Sequence, residues 1–372
     1  MKDIHGGDWA GYQNEYGKEP LDFSMSVSML GIPEKAAVAA KAALEGPAKY
    51  PDPLSRRLRE RLSERFGIPA EQIVCGTGAA DIIWRLVQAV RPKKALIPVP
   101  TFTEYARALE SCGCEIRTWD LAADGFALTE DITEKITDDT DILFLCEPNN
   151  PTGKRADPAV TRAIQKRCRE TGCLLVVDEC FMEFTEEPER YTAAACLRNA
   201  AGSETDSPEA ARLVVLRAFT KTFAMAGLRL GYALCGSREL AEQIRETGQP
   251  WPVSAAAEAA GAAALEETAY LPELRRKTAE GRRFLERELR ECGCTVVSGE
   301  ANFVLFRCDG IRLAEELKEK GILIRDCSGM EGLGTGWFRA AVRGKTDNEE
   351  LIRQIRVCCG MGSPEDRESA EI

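Results

Sequence analysis

The chain has 372 residues, 29% of them charged and 44% hydrophobic, and a formal net charge of -11. That length exceeds what one hydrophobic core usually serves, so a larger and a smaller lobe are expected, and an acidic surface argues against nucleic acid or an anionic membrane as the main partner. Fifteen cysteines lie scattered in apolar runs with no secretory signal before them, so they read as reduced, buried thiols of a cytoplasmic protein; a single histidine, His5, leaves little for zinc, and no apolar run is long enough for a membrane helix.

From about Leu44 to Gly236, short apolar runs alternate with amphipathic stretches. The runs 95–99, 141–146, 173–177 and 213–216 predict buried parallel strands, and the spacing over 80–90, 104–110 and 159–169 predicts helices. This order implies an α/β lobe with a mostly parallel central sheet. After a helical stretch over 255–290, the runs 295–297, 301–308, 322–327 and 337–342 predict a smaller α+β lobe, to which the N-terminal residues are expected to return. The expected division is an arm and part of the small lobe at 1–44, a large domain at 45–245, a small domain at 246–360 and a tail at 361–372. The segment 200–211 reads as a polar loop.

Ligands of open α/β sheets bind beyond the carboxyl ends of the strands, and the residues there share a chemistry. Gly76-Thr77-Gly78-Ala79-Ala80 is a small-residue turn into a helix, where backbone amides can receive a phosphate. Pro148-Asn149-Asn150-Pro151 is a stiff turn that directs two amide side chains. Asp178 ends a four-residue apolar run, where a carboxylate is costly to bury without a cation or a strong donor. Lys221 follows the run 213–216, with Arg229 eight residues later. A desolvated amine loses proton affinity and becomes a nucleophile, while a lysine at such a place can also lie along the surface with its head in water. Taken together, these groups match pyridoxal phosphate: amides and a guanidinium for its phosphate, a carboxylate for its ring nitrogen, a donor for its phenolic oxygen and an amine for its aldehyde.

At these residues the chain resembles the fold-type I pyridoxal-phosphate enzymes of the class I/II aminotransferase family, over nearly its whole length. Within that family it is most similar to the threonine-phosphate decarboxylases of the cobalamin pathway, relatives of the histidinol-phosphate aminotransferases. The stretches that carry the resemblance are His5-Gly6-Gly7, CEIRTWDL, LFLCEPNNPTG, LRLGYAL, QPWPVSA, ANFVLFRC and ILIRDC. The resemblance implies that Lys221 bonds to the cofactor aldehyde and that Asp178 partners the ring nitrogen. It places Asn150 at the phenolic oxygen, and Gly78, Ala79, Ala80, Thr220 and Arg229 at the phosphate. Phe102 stacks on the ring, with Tyr105 as the alternative. Tyr50 reaches the phosphate of a neighbouring subunit, which implies a homodimer, and Arg339 grips the substrate carboxylate.

Several positions depart from the family pattern. Ala218 stands where a hydroxyl is common, and Ser26 and Ser28 stand where asparagines are common. Phe181 replaces a tyrosine of many aminotransferases, as it does in the decarboxylases, so the expected reaction is decarboxylation of L-threonine O-3-phosphate to (R)-1-aminopropan-2-yl phosphate. Transamination of histidinol phosphate is the alternative. A substrate phosphate needs its own cation, for which Arg325, Arg343 and His5 are the candidates.

Overall fold

The computed structural model describes residues 6–46, 49–201 and 211–361; His5, most of the polar loop and the tail beyond 361 lie outside the described residues. A seven-stranded sheet runs in the order Ile73–Gly76, Gly231–Cys235, Leu213–Ala218, Leu174–Asp178, Ile142–Cys146, Lys94–Val99, Glu115–Asp120. Neighbours are parallel except that Gly231–Cys235 is antiparallel to both of its partners. Leu143, Leu145, Leu175, Val177 and Val215 pack on one face, while Ile142, Phe144, Val176, Val214 and Leu216 pack on the other. Both faces are covered, which is why these strands read as unbroken apolar runs rather than as alternating ones.

Helices Ala79–Val90, Glu104–Ser111 and Pro158–Thr171 lie where the spacing predicts them, within two residues at each end. Strand Glu115–Asp120 carries no comparable signal. It is the sheet edge, and its partly exposed run of Glu115, Arg117 and Asp120 holds charge where an outer strand can tolerate it.

The expected helical stretch over 255–290 is two helices, Ala255–Ala264 and Tyr270–Glu291. Ala257 and Ala260 of the first pack in one core with Leu58 and Leu230 of the large lobe. A Cβ on Gly261 would come within 2.4 Å of Leu230 Cδ2, so the absence of a side chain there permits the close approach. The second helix and Lys345–Cys358 cover a four-stranded antiparallel sheet of Arg325–Asp326, Trp337–Ala341, Phe303–Arg307 and Thr295–Val297. The single run expected over 322–327 is two short strands, each in a different sheet. Leu21–Asp22 pairs in parallel with Ile322–Leu323, and Phe23 is wholly buried in the small-lobe core, so the N-terminal segment is tied to that lobe. Among the described residues all cysteines are free thiols, no three ligand side chains are grouped to hold a metal, and no helix is long and apolar enough to cross a membrane.

Candidate active site

A cavity of about 530 Å³ opens between the carboxyl edge of the large sheet and the small lobe. Ala79, Ala80, Phe102, Asn150, Asp178, Thr220, Lys221 and Arg229 line it from the large lobe, and Arg325 and Arg339 from the small one. Ser24 and Met25 of the N-terminal segment close it.

Asp178 is the last residue of strand Leu174–Asp178 and is 4% exposed. Its Oδ2 accepts the Tyr105 hydroxyl at 2.7 Å and its Oδ1 accepts the Cys180 amide at 3.0 Å. Burial pushes the carboxyl above its ordinary range, while the bonds from Cys180 and Tyr105 and the charge of Lys221 pull it back. Tyr105 is fully buried and stacks on Phe144 with ring centroids 4.8 Å apart. The alternative that places Tyr105 on the cofactor ring therefore does not fit: its ring is packed behind the acid, whereas Phe102 faces the cavity. The Tyr105–Asp178 bond has no sequence signal, because the two residues belong to different strand-helix units.

Lys221 sits in the one-turn helix Phe219–Thr222 that follows strand Leu213–Ala218. Burial lowers its ammonium from the ordinary value to about 8, with help from the charges of Arg339 and Arg229. The Lys221 amine lies 6.0 Å from the centroid of the Phe181 ring. It is therefore a lysine of the cavity floor rather than a surface one.

At the edge of the sheet, Gly78 takes φ 91 and begins helix Ala79–Val90, which no side chain caps. Ala79 and Ala80 of its first turn line the cavity, and the first amides of a helix have no partner within it. A Cβ on Gly231 would meet Ala79 N at 2.5 Å, and one on Gly78 would meet Arg229 Nη2 at 2.9 Å, so both glycines allow the turn, the strand and the guanidinium to close around one small space. Thr220 Oγ1 donates to the Leu230 carbonyl at 3.3 Å on the same side. Ala218 lines the cavity without a hydroxyl.

Arg339 is 8% exposed and lies in strand Trp337–Ala341. It donates to Asn150 Oδ1 and, at 3.0 Å, to the Ser24 carbonyl, while its buried Nε has no partner. Arg325 stands directly across from Arg339 in the antiparallel pair, so both side chains leave the same face of the sheet. Burial and the nearby Arg325 lower the Arg339 guanidinium from its ordinary value. Two like charges beside an unpartnered donor are costly to keep without an anion. Ser28 Oγ pairs with the Tyr270 hydroxyl at 2.6 Å, and the buried Ser26 Oγ has no partner.

Three expected residues are not among those lining the cavity: Gly78, which sets the turn into the helix behind Ala79, and Arg343 and Tyr50. Arg343 donates to the Asp22 carbonyl at 3.1 Å and to Asp347 at 2.9 Å, a tie between the N-terminal segment and the last helix. Tyr50 is 77% exposed and stacks on Trp251. His5 lies outside the described residues. Arg107 and Cys180, which sequence reasoning missed, do line the cavity. Nothing in the apolar pattern marks either of them.

These residues fit pyridoxal phosphate. The uncapped helix start next to Arg229 suits its phosphate, the buried Asp178 suits a protonated ring nitrogen, and the Lys221 amine of low proton affinity suits its aldehyde. Residues 19–355 match the family model for aminotransferase class I and II. The chain is 35% identical to a threonine-phosphate decarboxylase of Salmonella typhimurium, over 95% of each protein. It is 33% identical to a histidinol-phosphate aminotransferase of Symbiobacterium thermophilum, over 94% of each. Among solved structures, a histidinol-phosphate aminotransferase of Clostridium acetobutylicum superposes with a TM-score of 0.81 at 29% identity, covering 91% of this chain and 99% of that one.

Proposed function

The chain belongs to the class I and II aminotransferase family and is a pyridoxal-phosphate-dependent enzyme of the type I fold, and from that premise we propose that it decarboxylates an O-phospho-amino acid. The substrate is L-threonine O-3-phosphate and the products are carbon dioxide and (R)-1-aminopropan-2-yl phosphate, a step of cobalamin assembly. The observation that carries this reading is the Arg325–Arg339 pair on one face of a strand pair above Lys221. Two guanidinium groups there provide for two anionic groups of one small molecule.

When bound, the cofactor supplies a conjugated ring that takes up the electron pair left on the substrate α-carbon. Asn150 and Phe102 would orient that ring, Ala79, Ala80, Thr220 and Arg229 would hold its phosphate, and Asp178 would keep a proton on its nitrogen. Lys221 would supply the amine for the aldehyde and would carry the proton that takes the place of carbon dioxide at the α-carbon. Arg339 turns the carboxylate toward the position from which it leaves. Phe181 offers no hydroxyl next to Lys221, which supports decarboxylation over proton removal. The exposure of Tyr50, stacked on Trp251, supports the reading that a second copy uses it, so the working unit is read as a homodimer.

The relatives named as histidinol-phosphate aminotransferases support a second reading, transamination. Product analysis by mass spectrometry with O-phospho-L-threonine, O-phospho-L-serine and histidinol phosphate separates the two. Carbon dioxide and aminopropyl phosphate formed without a 2-oxo acid are expected; an absolute requirement for a 2-oxo acid acceptor rejects decarboxylation.

A further inference from the structure

The cavity holds a cation to which none of the roles above is given. Arg107, in the first turn of helix Glu104–Ser111, lines the cavity together with Lys221 and Arg325. Its Nη1 lies 2.9 Å from Glu104 Oε1, and its side chain is 41% exposed. Glu104 is anchored in turn: its side chain is 13% exposed and its Oε2 accepts the Trp84 indole N–H at 3.3 Å. The guanidinium is thus tethered at the wall by a carboxylate that cannot easily move away.

In a chain of net charge -11, the wall carries Lys221, Arg107, Arg229, Arg325 and Arg339 against only Asp178 and Glu104. Arg229 and the helix start serve the cofactor phosphate, and Arg339 serves the substrate carboxylate. A phosphate monoester at neutral pH brings about -1.5 to -2 charges. Arg325 offsets one of them, and a second charge left without a cation would be costly beside a wall that also presents Phe102, Phe181 and Met330. A guanidinium has five N–H donors in a planar fork, so one edge can stay on Glu104 while another meets phosphate oxygens.

We infer that Arg107 of the large lobe completes, with Arg325 of the small lobe, the site for the substrate phosphate, so that a phosphorylated substrate links the two walls. The inference rests on the phospho-substrate reading above. It makes Arg107 a specificity residue: it acts on molecules that carry phosphate and not on the amino-acid core they share.

The test uses the holoenzyme and its R107Q, R107K and R325Q variants. Steady-state decarboxylation of O-phospho-L-threonine is measured beside spectral titration of the bound cofactor with L-threonine, which lacks the phosphate. R107Q is expected to lower kcat/KM for the phosphorylated substrate roughly 10- to 100-fold, carried mainly by KM, as for loss of a charged hydrogen-bonding partner. R107K recovers part of the loss, and the affinity for L-threonine stays within about twofold, since the phosphate-free ligand makes no bond to position 107. A KM for R107Q within about threefold of wild type, or an equal weakening toward L-threonine, overturns the inference. A wild-type enzyme that ignores O-phospho-L-threonine but accepts histidinol phosphate rejects the decarboxylase reading alone, and the same KM criterion then applies with histidinol phosphate. A wild type that takes neither phosphorylated amine overturns both.

Discussion

The wall that carries Asn150, Asp178 and Lys221 comes from successive strand ends of one sheet, whereas the wall that carries Arg325 and Arg339 comes from a separate antiparallel sheet. The first wall is rigid because its strands are buried on both faces, and each reactive group inherits its place from the strand before it. The second wall meets the first where Arg339 donates to Asn150, and beside it the small-lobe Glu300 donates its amide to the Gly153 carbonyl at 2.7 Å and pairs with Arg155 at 2.9 Å. On the proposed reading this is a division of labour, with bond chemistry on the first wall and the choice and orientation of the substrate on the second.

The largest expected effect lies on the first wall. In the proposed mechanism Lys221→Ala removes both the covalent anchor and the proton carrier, so decarboxylation should fall by about 10⁴-fold, and borohydride should no longer fix the cofactor to the peptide. Activity within about tenfold of wild type would remove the distinction between the walls.

Arg339→Gln probes the second wall and its reach into the first. It should lower kcat/KM by roughly 100-fold through loss of a charged bond to the carboxylate. It should also move a titration. The Lys221 amine titrates at about 8 because of burial and the nearby guanidinium groups, Arg339 first. Below that pH it is mostly ammonium and cannot condense, so reconstitution of the apoenzyme with cofactor should slow as pH falls through about 8. Removing the positive charge of Arg339 makes the ammonium easier to keep, and the midpoint should rise toward the ordinary lysine value. A midpoint that stays put would show the walls to be electrically independent.

The smallest effect is expected behind the first wall. Tyr105→Phe deletes the hydroxyl on Asp178 and should destabilise the fold by about 1–3 kcal/mol, read by denaturant unfolding. The rate should fall about threefold to tenfold, because Asp178 keeps the Cys180 amide. Asp178, with one donor fewer, should also hold its proton to higher pH, seen as a shifted pH profile of the cofactor absorbance. An unchanged profile would mean that Tyr105 is packing alone.

Much of the large lobe was legible. Asp178 and Lys221 each follow an apolar run that can only be a covered strand, and the sheet rule then puts both at the same edge. The edge strand Glu115–Asp120 was not, since partial exposure erases the apolar signal. On the second wall, Arg339 was legible through its resemblance to a family motif. Arg343 looked equivalent to Arg325 in sequence, yet its guanidinium ties Asp22 to Asp347 while Arg325 faces the cavity. Phe102 was the expected stacking ring and Tyr105 its alternative, because both sit near the start of one helix. Packing against Phe144 separates them.

The amino-acid sequence alone determined the fold class, the cofactor and the places of Asp178 and Lys221 at the strand ends, because continuous burial on both faces makes the strands before them readable as apolar runs. Tertiary structure decided which cations line the cavity, that Tyr105 backs Asp178, and that Arg107 shares the cavity with Arg325 of the small lobe. Those relations join residues distant along the chain, and a charge on a helix or strand end carries no local mark of what it will face once two lobes close on each other.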